Sequence, residues 1–165
     1  MRLFHKTNRD LVRDTGDDKL LTLFYGVVGD RDRSLTCVSS GHDPALWYHA
    51  DTGTIEELPN TSILLRVFED ATFAQAGPVS LRSGDVVVVG TGGIWEAQDA
   101  GGNLFGKERL YEIVRNVHGS AEEVCRTVLK AVGDFVGAAP RQDDVTLVVL
   151  RALASNADAS SHSIS

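Results

Sequence analysis

Two adjacent carboxylates near the C-terminus are the first residues of this sequence whose types suit chemistry. Asp143 and Asp144 stand directly before the apolar run VTLVVL, which has the composition of a strand. Such a pair has two interpretations. It is either a solvated turn, or part of a site for a hard cation such as Mg²⁺ or Mn²⁺, which prefers oxygen ligands. The pair alone does not decide between them.

A glycine cluster behind a second apolar run is the other candidate for a site. The stretch DVVVVGTGGIWEA (85–97) resembles a strand that enters a phosphate-binding turn. A Walker loop needs a lysine after its last glycine, and none follows here. The dinucleotide fingerprint needs a third glycine where Trp95 stands, and the pattern after it predicts a loop rather than a helix. Both nucleotide-binding interpretations therefore fail on residues that their mechanisms require.

Other common site signatures also fail. DAGGN (99–103) begins like a calcium loop, but Leu104 and Leu110 stand where an EF-hand needs glycine and glutamate. The five histidines lack metal-binding spacing, there is no GxSxG elbow, and the two cysteines form no CxxC. These patterns predict neither a histidine or zinc metal site nor a serine hydrolase.

Charge and hydropathy limit the partners. The net charge of −7 argues against nucleic acid and anionic membranes, because both require a basic surface. No apolar run approaches the ~20 residues that span a bilayer, and no signal peptide opens the sequence. We therefore expect a cytoplasmic protein that binds neither nucleic acid nor membrane.

The elements that must position these residues are mostly strands, followed by a late pair of helices. Ser120 and Glu123 have the spacing of a capping box at the start of the last helix. Antiparallel strands with segregated helices predict an α+β layered domain rather than alternating βαβ units. Residues 153–165 form a polar tail that we expect to be disordered. Strands are predicted at 20–28, 34–40, 45–49, 54–58, 62–68, 72–81, 85–90 and 144–152, and helices at 2–14, 107–117 and 120–136.

Five stretches, in order, resemble the consecutive motifs of the metal-dependent protein phosphatases (PPM, type 2C), in their bacterial SpoIIE/RsbU-like branch: TLFYGVV, LTCVSSGHDPALW, SGDVVVVGTGGIWEA, GNLFGKERL and APRQDDVTLVVLR. The resemblance covers residues 1–152. It implies a β-sandwich of antiparallel sheets flanked by helices, which hydrolyses phosphoserine or phosphothreonine on proteins with two Mn²⁺ or Mg²⁺ ions. It further implies, as substrate, an anti-sigma-factor antagonist of a partner-switching pathway.

Two departures from the family pattern concern its metal ligands. Gly92 stands where the aspartate of the [ST]DG motif belongs, with Gly93 at the neighbouring motif position. Asp143 matches the aspartate of the C-terminal motif, and Asp144 beside it is a further candidate ligand. The GDxxGHG motif, which supplies a third aspartate in the family, does not occur. We therefore expect the N-terminal strands of the sandwich to be missing, and unpaired strand edges to favour self-association.

Three residues are candidates for binding substrate: Arg141, Arg66 and His42. The arginines suit a phosphate. His42 lies in the GHxP turn of the family and has an alternative, structural role, in which it satisfies backbone groups. Arg66 replaces the glycine of a Pro-Leu-Gly turn, where a positive φ would strain it. Glu96 lies near the predicted site without an assigned role.

One carboxylate is too little to hold two dications, so we expect little or no bound metal and little phosphatase activity. A fragment of a longer phosphatase, a deliberate Asp→Gly change and a natural degenerate member all fit this pattern. The alternative function is a non-catalytic pseudophosphatase module that binds a phosphoprotein or regulatory partner. A structural subunit whose partner supplies the missing strand is a third hypothesis.

Overall fold

The computed structural model describes residues 2–14 and 21–154 of the 165-residue chain. Its contacts divide the chain into two compact units: Met1–Pro44 with Leu58–Leu81, and Ala45–Glu57 with Arg82–Ser165. The predicted polar tail lies outside the described residues from position 155 onward. The elements in chain order are α1 (Arg2–Asp14), β1 (Leu23–Gly29), β2 (Ser34–Ser40), β3 (Leu46–His49), β4 (Thr54–Glu57), β5 (Ala76–Ser80), β6 (Val86–Gly90), α2 (Lys107–Asn116), α3 (Ala121–Val136) and β7 (Leu147–Arg151).

The first unit contains an antiparallel sheet with the order β1-β2-β5, together with helix α1. Strands β1 and β2 form a hairpin and pair along their whole length, from Leu23 opposite Ser40 to Gly29 opposite Ser34. One aromatic side chain of α1, Phe4, anchors the helix in a small apolar core. The buried members of that core are Phe4, Val38, Leu65, Ala71 and Phe73.

The prediction of a strand at 62–68 is wrong. The segment forms only isolated bridges, in which Ser62 pairs with Ser40 and Leu65 pairs with Leu21. Arg66 adopts a φ of 72°, which is left-handed backbone and turns the chain out of an extended path. The turn with positive φ therefore forms despite the arginine, and its strain must be offset by contacts elsewhere.

Those contacts come from one buried amide on α1. The side chain of Asn8 is inaccessible to solvent, and its Oδ1 accepts a hydrogen bond from the Arg66 backbone N–H at 2.8 Å. Its Nδ2 donates to the carbonyl groups of Phe68 at 2.8 Å and Glu69 at 3.2 Å. Arg13 adds an ion pair to the Glu69 carboxylate at 2.8 Å. Helix α1 thus holds the 66–69 turn by polar contacts that a hydrophobic pattern does not reveal.

The second unit contains an antiparallel sheet with the order β4-β3-β6-β7, and helices α2 and α3. The predicted capping box is confirmed, because Ser120 Oγ accepts from the Glu123 N–H while the Glu123 carboxylate accepts from the Ser120 N–H. The core is built from alternate residues of the strands and from one face of each helix. Its fully buried members include Val86, Val88, Ile94, Phe105, Leu110, Val114, Val124 and Val128.

The start of β6 is fixed by a buried carboxylate. Asp85 accepts hydrogen bonds from the indole N–H of Trp47 at 3.2 Å and from the backbone N–H groups of Ala50 and Arg82, both at 2.9 Å. A tight turn therefore precedes β6, and Trp47 is a buried packing residue. This anchoring sets the register with which β6 leads into the glycine cluster.

The α+β prediction, with antiparallel sheets and helices grouped late in the chain, is confirmed. Strand β7 begins at Leu147 rather than at 144, so Asp143 and Asp144 belong to the preceding loop. No helix in the described part of the chain combines the length and apolarity needed to cross a membrane.

Candidate functional site

The glycine cluster forms a compact turn at the end of β6. After Gly90, which pairs with Leu147 of β7, the Ile94 N–H donates to the Thr91 carbonyl at 3.1 Å. The Glu96 N–H then donates to the Gly92 carbonyl at 2.8 Å. The N–H groups of Ile94 and Glu96 are therefore bonded to carbonyl groups of the turn itself.

Thr91 connects this turn to the loop that carries the aspartate pair. Its N–H donates to the Thr146 carbonyl at 3.1 Å, and its hydroxyl oxygen accepts from the Thr146 N–H at 3.0 Å. The same hydroxyl donates to the Asp144 carbonyl at 3.2 Å. One side chain thereby fixes the distance between the two segments that the sequence singles out.

The two glycines of the cluster have different environments, although neither has a positive φ. A Cβ atom at Gly93 would lie only 2.9 Å from the carbonyl carbon of Asp144, with the carbonyl oxygen closer still. A Cβ atom at Gly92 would meet only the Glu96 carboxylate, at 2.9 to 3.3 Å. Backbone packing therefore excludes a side chain at 93, whereas position 92 faces a flexible side chain.

Glu96 is the carboxylate nearest to Gly92. Four residues separate the two, and the hydrogen bond between the Glu96 N–H and the Gly92 carbonyl places the glutamate side chain above the glycine. The Glu96 side chain is exposed, and so are Asp143 and Asp144. The site therefore presents three carboxylates, one of which comes from a residue without a role in the family pattern.

These carboxylates do not fit the metal pair that the resemblance implies. One oxygen of Asp143 is used locally, because Oδ1 accepts the Asp144 N–H at 2.7 Å. Within the described residues, no group of three or more His, Cys, Asp or Glu side chains has the geometry to hold a metal ion. Two dications need several converging oxygen ligands to offset their charge. Asp143 and Asp144 therefore remain candidate ligands that lack, within residues 2–14 and 21–154, the converging partners a binuclear site needs.

A cavity of about 600 Å³ opens beside the turn, within the second unit. Gly93, Glu96 and Asp143 line it at the site end, and Val132 and Val136 of α3 supply apolar wall. Further lining residues are Ala97, Gln98, Leu104, Gly133, Gly137, Ala139, Pro140, Arg141, Gln142 and Val145. Its volume is in the range of small-molecule and peptide side-chain pockets.

Arg141 is the one cationic side chain among the described residues that line this cavity. It is exposed, and no hydrogen bond or ion pair joins it to another described residue. The neighbouring Gln142 donates to the side chain of Gln98 at 2.9 Å, which ties the Arg141 loop to the 96–98 turn. An unpaired guanidinium at the rim is a ready partner for an anion.

The two other predicted substrate-binding residues, His42 and Arg66, belong to the first unit, where both side chains contact backbone carbonyl groups. The ring of His42 makes a hydrogen bond with the Asp43 carbonyl at 2.9 Å and packs edge-on against Phe24. Arg66 Nε donates to the Leu11 carbonyl at 3.2 Å. Both side chains thus satisfy backbone groups in the described chain, while their roles toward a substrate stay predictions.

The DAGGN stretch is a turn, as its sequence suggested. The Asp99 carboxylate accepts from the N–H groups of Gly101 and Asn103 and from the Asn103 side chain. These hydrogen bonds, led by the one from the Asn103 side chain, lower the pKa of Asp99 below its ordinary value. The Asp99 carboxylate is thus used to accept hydrogen bonds from its own turn, which is not the arrangement of a calcium-binding loop.

Sequence reasoning missed Thr91, and it placed Glu96 near the site without giving it a role. The spacing of Glu96 four residues after Gly92 was a usable signal, since that spacing brings side chains together in a helical turn. No signal in the sequence indicated that Thr91 would bond to a loop more than fifty positions away.

Comparison with known proteins defines the class. A sequence model of the family described as stage II sporulation protein E (SpoIIE) matches residues 2–153. The chain therefore belongs to the SpoIIE family, in the SpoIIE/RsbU-like branch of the PPM phosphatases. This confirms the family predicted from the ordered motifs.

Individual relatives agree with this assignment. The chain is 26% identical over 147 residues to phosphoserine phosphatase RsbU of Bacillus subtilis, covering 87% of this chain and 42% of RsbU. It is 21% identical over 145 residues to protein IcfG of Synechocystis sp., covering 87% of this chain and 23% of IcfG. The chain thus spans less than half the length of these curated relatives.

Among solved structures, the SiaA-PP2C domain of Pseudomonas aeruginosa superposes with a TM-score of 0.72 at 17% identity, over 89% of this chain and 58% of that one. At this identity the likeness shows the fold. The predicted PPM-type fold class is thereby confirmed.

Proposed function

We propose that this domain recognises a phosphorylated regulatory protein. We further propose that its metal-dependent phosphatase activity is strongly reduced or absent. The family, and a relative named as a phosphoserine phosphatase, support a phosphoprotein as the partner. By the family resemblance, the substrate is an anti-sigma-factor antagonist of a partner-switching pathway. Two unpaired cysteines, one of them buried, are compatible with the cytoplasmic setting of such a pathway.

The observation that carries the loss of turnover is Gly92 beneath the Glu96 carboxylate. A glycine there offers no side-chain oxygen to a cation, and the carboxylates around it do not form a metal-binding group in the described residues. Without a dication, the side chains of Glu96, Asp143 and Asp144 repel the negative charge of a phosphoryl group instead of stabilising its transfer.

The same observation favours a second candidate, a non-catalytic module that binds the phosphoprotein. Thr91 and the close packing of Gly93 hold the turn in shape, although position 92 carries no carboxylate. Arg141 at the cavity rim would hold a phosphate in such a complex, and the apolar wall would hold flanking residues of the partner.

Two measurements test the proposal. Phosphate release from a phosphoserine peptide is measured with and without Mn²⁺, and we expect no Mn²⁺-dependent turnover. Mn²⁺ titration calorimetry then compares the wild-type chain with Gly92→Asp, and with Thr52→Asp as a control that adds the same charge to an exposed turn. We expect heat of binding only for Gly92→Asp. Robust Mn²⁺-dependent turnover by the wild-type chain contradicts the proposed loss of activity.

The two candidates differ in what the wild-type chain does with a phosphorylated antagonist. A non-catalytic module binds it without Mn²⁺ and leaves the phosphate in place, and Arg141→Ala weakens that binding. If the wild-type chain releases the phosphate only when Mn²⁺ is added, it is a metal-dependent phosphatase rather than a non-catalytic module. If the wild-type chain binds phosphorylated and unphosphorylated antagonist with equal affinity, Arg141 does not bind the phosphate.

A further inference from the structure

The cavity beside the site turn combines an apolar wall with negative charge. Val132 and Val136 of α3 form the wall together with the half-buried Val145. Glu96 and Asp143 line the end next to the glycine cluster. Within residues 2–14 and 21–154, neither carboxylate has an ion-pair partner. The cavity therefore offers uncompensated negative charge beside a surface on which alkyl groups can pack.

The C-terminal end of α3 adds to this negative potential. Gly133, Val136 and Gly137, from the end of the helix, line the cavity. The carbonyl end of a helix carries a partial negative charge of roughly half an electron, which a nearby cation stabilises. Lysine and arginine often serve this purpose in the last turn of a helix, but the last turn of α3 contains no basic residue. A cation in this cavity would therefore interact favourably with the carboxylates and with the helix end.

Arg141 does not supply this cation. Its side chain is exposed, and no ion pair joins it to Glu96 or Asp143 in the described chain. Its loop is tied to the 96–98 turn by the hydrogen bond between Gln142 and Gln98. The cavity thus presents two separate charges to a ligand, a positive group at the rim and negative groups at the site end.

We infer that the cavity binds a lysine or arginine side chain of the partner, close to the phosphoserine that Arg141 holds. This inference rests on the proposed function, which supplies the phosphate at the rim. The methylene groups of a basic side chain pack along the apolar wall while its charged end reaches Glu96 and Asp143. An acidic side chain would be repelled, and an apolar one would cover the carboxylates without pairing them.

The basic side chain also reduces an obstacle to phosphate binding. In the free chain, Glu96 and Asp143 repel the negative charge of a phosphoryl group, and a cation of the partner beside them offsets that repulsion. A sphere with the volume of this cavity is roughly 10 Å across, which extended backbone covers in about three residues. The partner class is therefore a protein segment that carries a basic residue within about three positions of its phosphoserine.

Fluorescence anisotropy on the wild-type chain tests this class with labelled phosphoserine peptides. Each peptide carries one lysine, placed in turn at the six positions from three before the phosphoserine to three after it, in an alanine background. A matched peptide has norleucine at the same position, which keeps the alkyl chain and removes the charge. At the best position we expect the lysine peptide to bind about 2–30-fold more tightly than its norleucine counterpart, as for two partly exposed ion pairs.

Neutral variants of the chain identify the groups that recognise the lysine. Glu96→Gln and Asp143→Asn keep the size of each side chain, and asparagine still offers an oxygen to the Asp144 N–H. Each should reduce the lysine preference, and the double variant should bring the ratio of the two dissociation constants close to 1. Glu112→Gln removes an exposed carboxylate of α2 that does not line the cavity, so this control should leave the ratio unchanged.

The outcomes separate this inference from the proposed function. Equal affinity for the lysine and norleucine peptides at all six positions overturns the inference, and so does a lysine preference that the double variant retains. Tighter binding of norleucine overturns it as well, because the cavity then takes an apolar side chain.

A lysine peptide with serine in place of phosphoserine tests the proposed function. If the two bind equally while the lysine preference remains and depends on Glu96 and Asp143, phosphate recognition is contradicted and the site for a basic side chain is supported. Binding by none of the peptides contradicts both.

Discussion

Substitution of the two adjacent glycines by alanine tests whether the site turn is held by backbone packing. At Gly93 the new methyl group would lie 2.9 Å from the Asp144 carbonyl carbon, at least 0.5 Å short of the 3.4 Å at which ordinary contact begins. The loop cannot move freely, because Thr91 bonds to the Asp144 carbonyl and to both backbone groups of Thr146. At Gly92 the methyl group meets only the end of an exposed glutamate.

The expected cost follows from these contacts. Overpacking against a fixed neighbour costs about 1–3 kcal/mol, and each Thr91 hydrogen bond that is stretched costs about 1 kcal/mol more. Alanine also lowers the conformational entropy of the unfolded chain, which offsets about 0.4–1 kcal/mol of this loss in stability. Gly93→Ala should therefore lower the free energy of unfolding by about 1–4 kcal/mol, or roughly 2–16 °C in Tm. Gly92→Ala should stay within about 0.5 kcal/mol of the wild-type chain.

Urea unfolding followed by far-UV circular dichroism and by tryptophan fluorescence measures both variants. The Gly92→Ala variant is the matched control, since it makes the same chemical change one position away, and neither glycine has a positive φ. If Gly93→Ala is as stable as the wild-type chain, the packing argument is refuted. Equal losses in the two variants would mean that glycine flexibility, rather than contact with Asp144, determines the sequence here.

Three further predictions concern the scaffold. Asn8→Ala leaves buried backbone groups unpaired and should lower the free energy of unfolding by about 2–4 kcal/mol, measured by urea unfolding. Asn116→Ala, at an exposed position of α2, should lower it by less than about 0.5 kcal/mol, and similar losses in the two variants would contradict the special role of the buried amide. Ser120→Ala removes the cap of α3 and should cost about 1 kcal/mol, and an unchanged unfolding midpoint would contradict the capping box. Burial and the hydrogen bond to Glu57 raise the pKa of Tyr111 from its ordinary 10.0 to about 12. Because the folded chain holds this proton more tightly, the contribution to stability is complete below pH 10 and is lost as the pH rises through 12. Absorbance titration of tyrosinate should show the late ionisation, and Tyr111→Phe should remove that share of the alkaline loss of stability; an unchanged loss in the variant would contradict the assignment.

Local signals in the sequence predicted most of the elements. Strand β2 and the capping box of α3 match their predictions in bounds and chemistry, because both depend on residues that are close in sequence. The segment 62–68 fails for the opposite reason. Its apolar residues suggest a strand, but the fold of that segment is decided by Asn8, nearly sixty positions away on another element.

In the candidate site, too, some features could be predicted from the sequence and others could not. The ordered motifs predict that Asp143, Gly92 and Gly93 belong to one site, because a family pattern relates positions that are distant in the sequence. The position of Glu96 above Gly92 could be anticipated only from its spacing. The contact between Gly93 and the Asp144 backbone could not be anticipated, since a carbonyl group of any residue type would fill that space.

The bond from Thr91 to the Asp144 carbonyl also sets the order in which the molecule is completed. It joins residues 53 positions apart, so the turn after β6 cannot reach its final shape until the chain through β7 is available. At about 5–20 residues per second, synthesis of that interval takes roughly 3–10 s. During this time β6 has left the ribosome without its β7 neighbour, and its four consecutive valines are exposed to other chains. The site is therefore among the last parts of the domain to form during synthesis, and the interval before β7 arrives is the period in which the nascent chain most needs protection from aggregation.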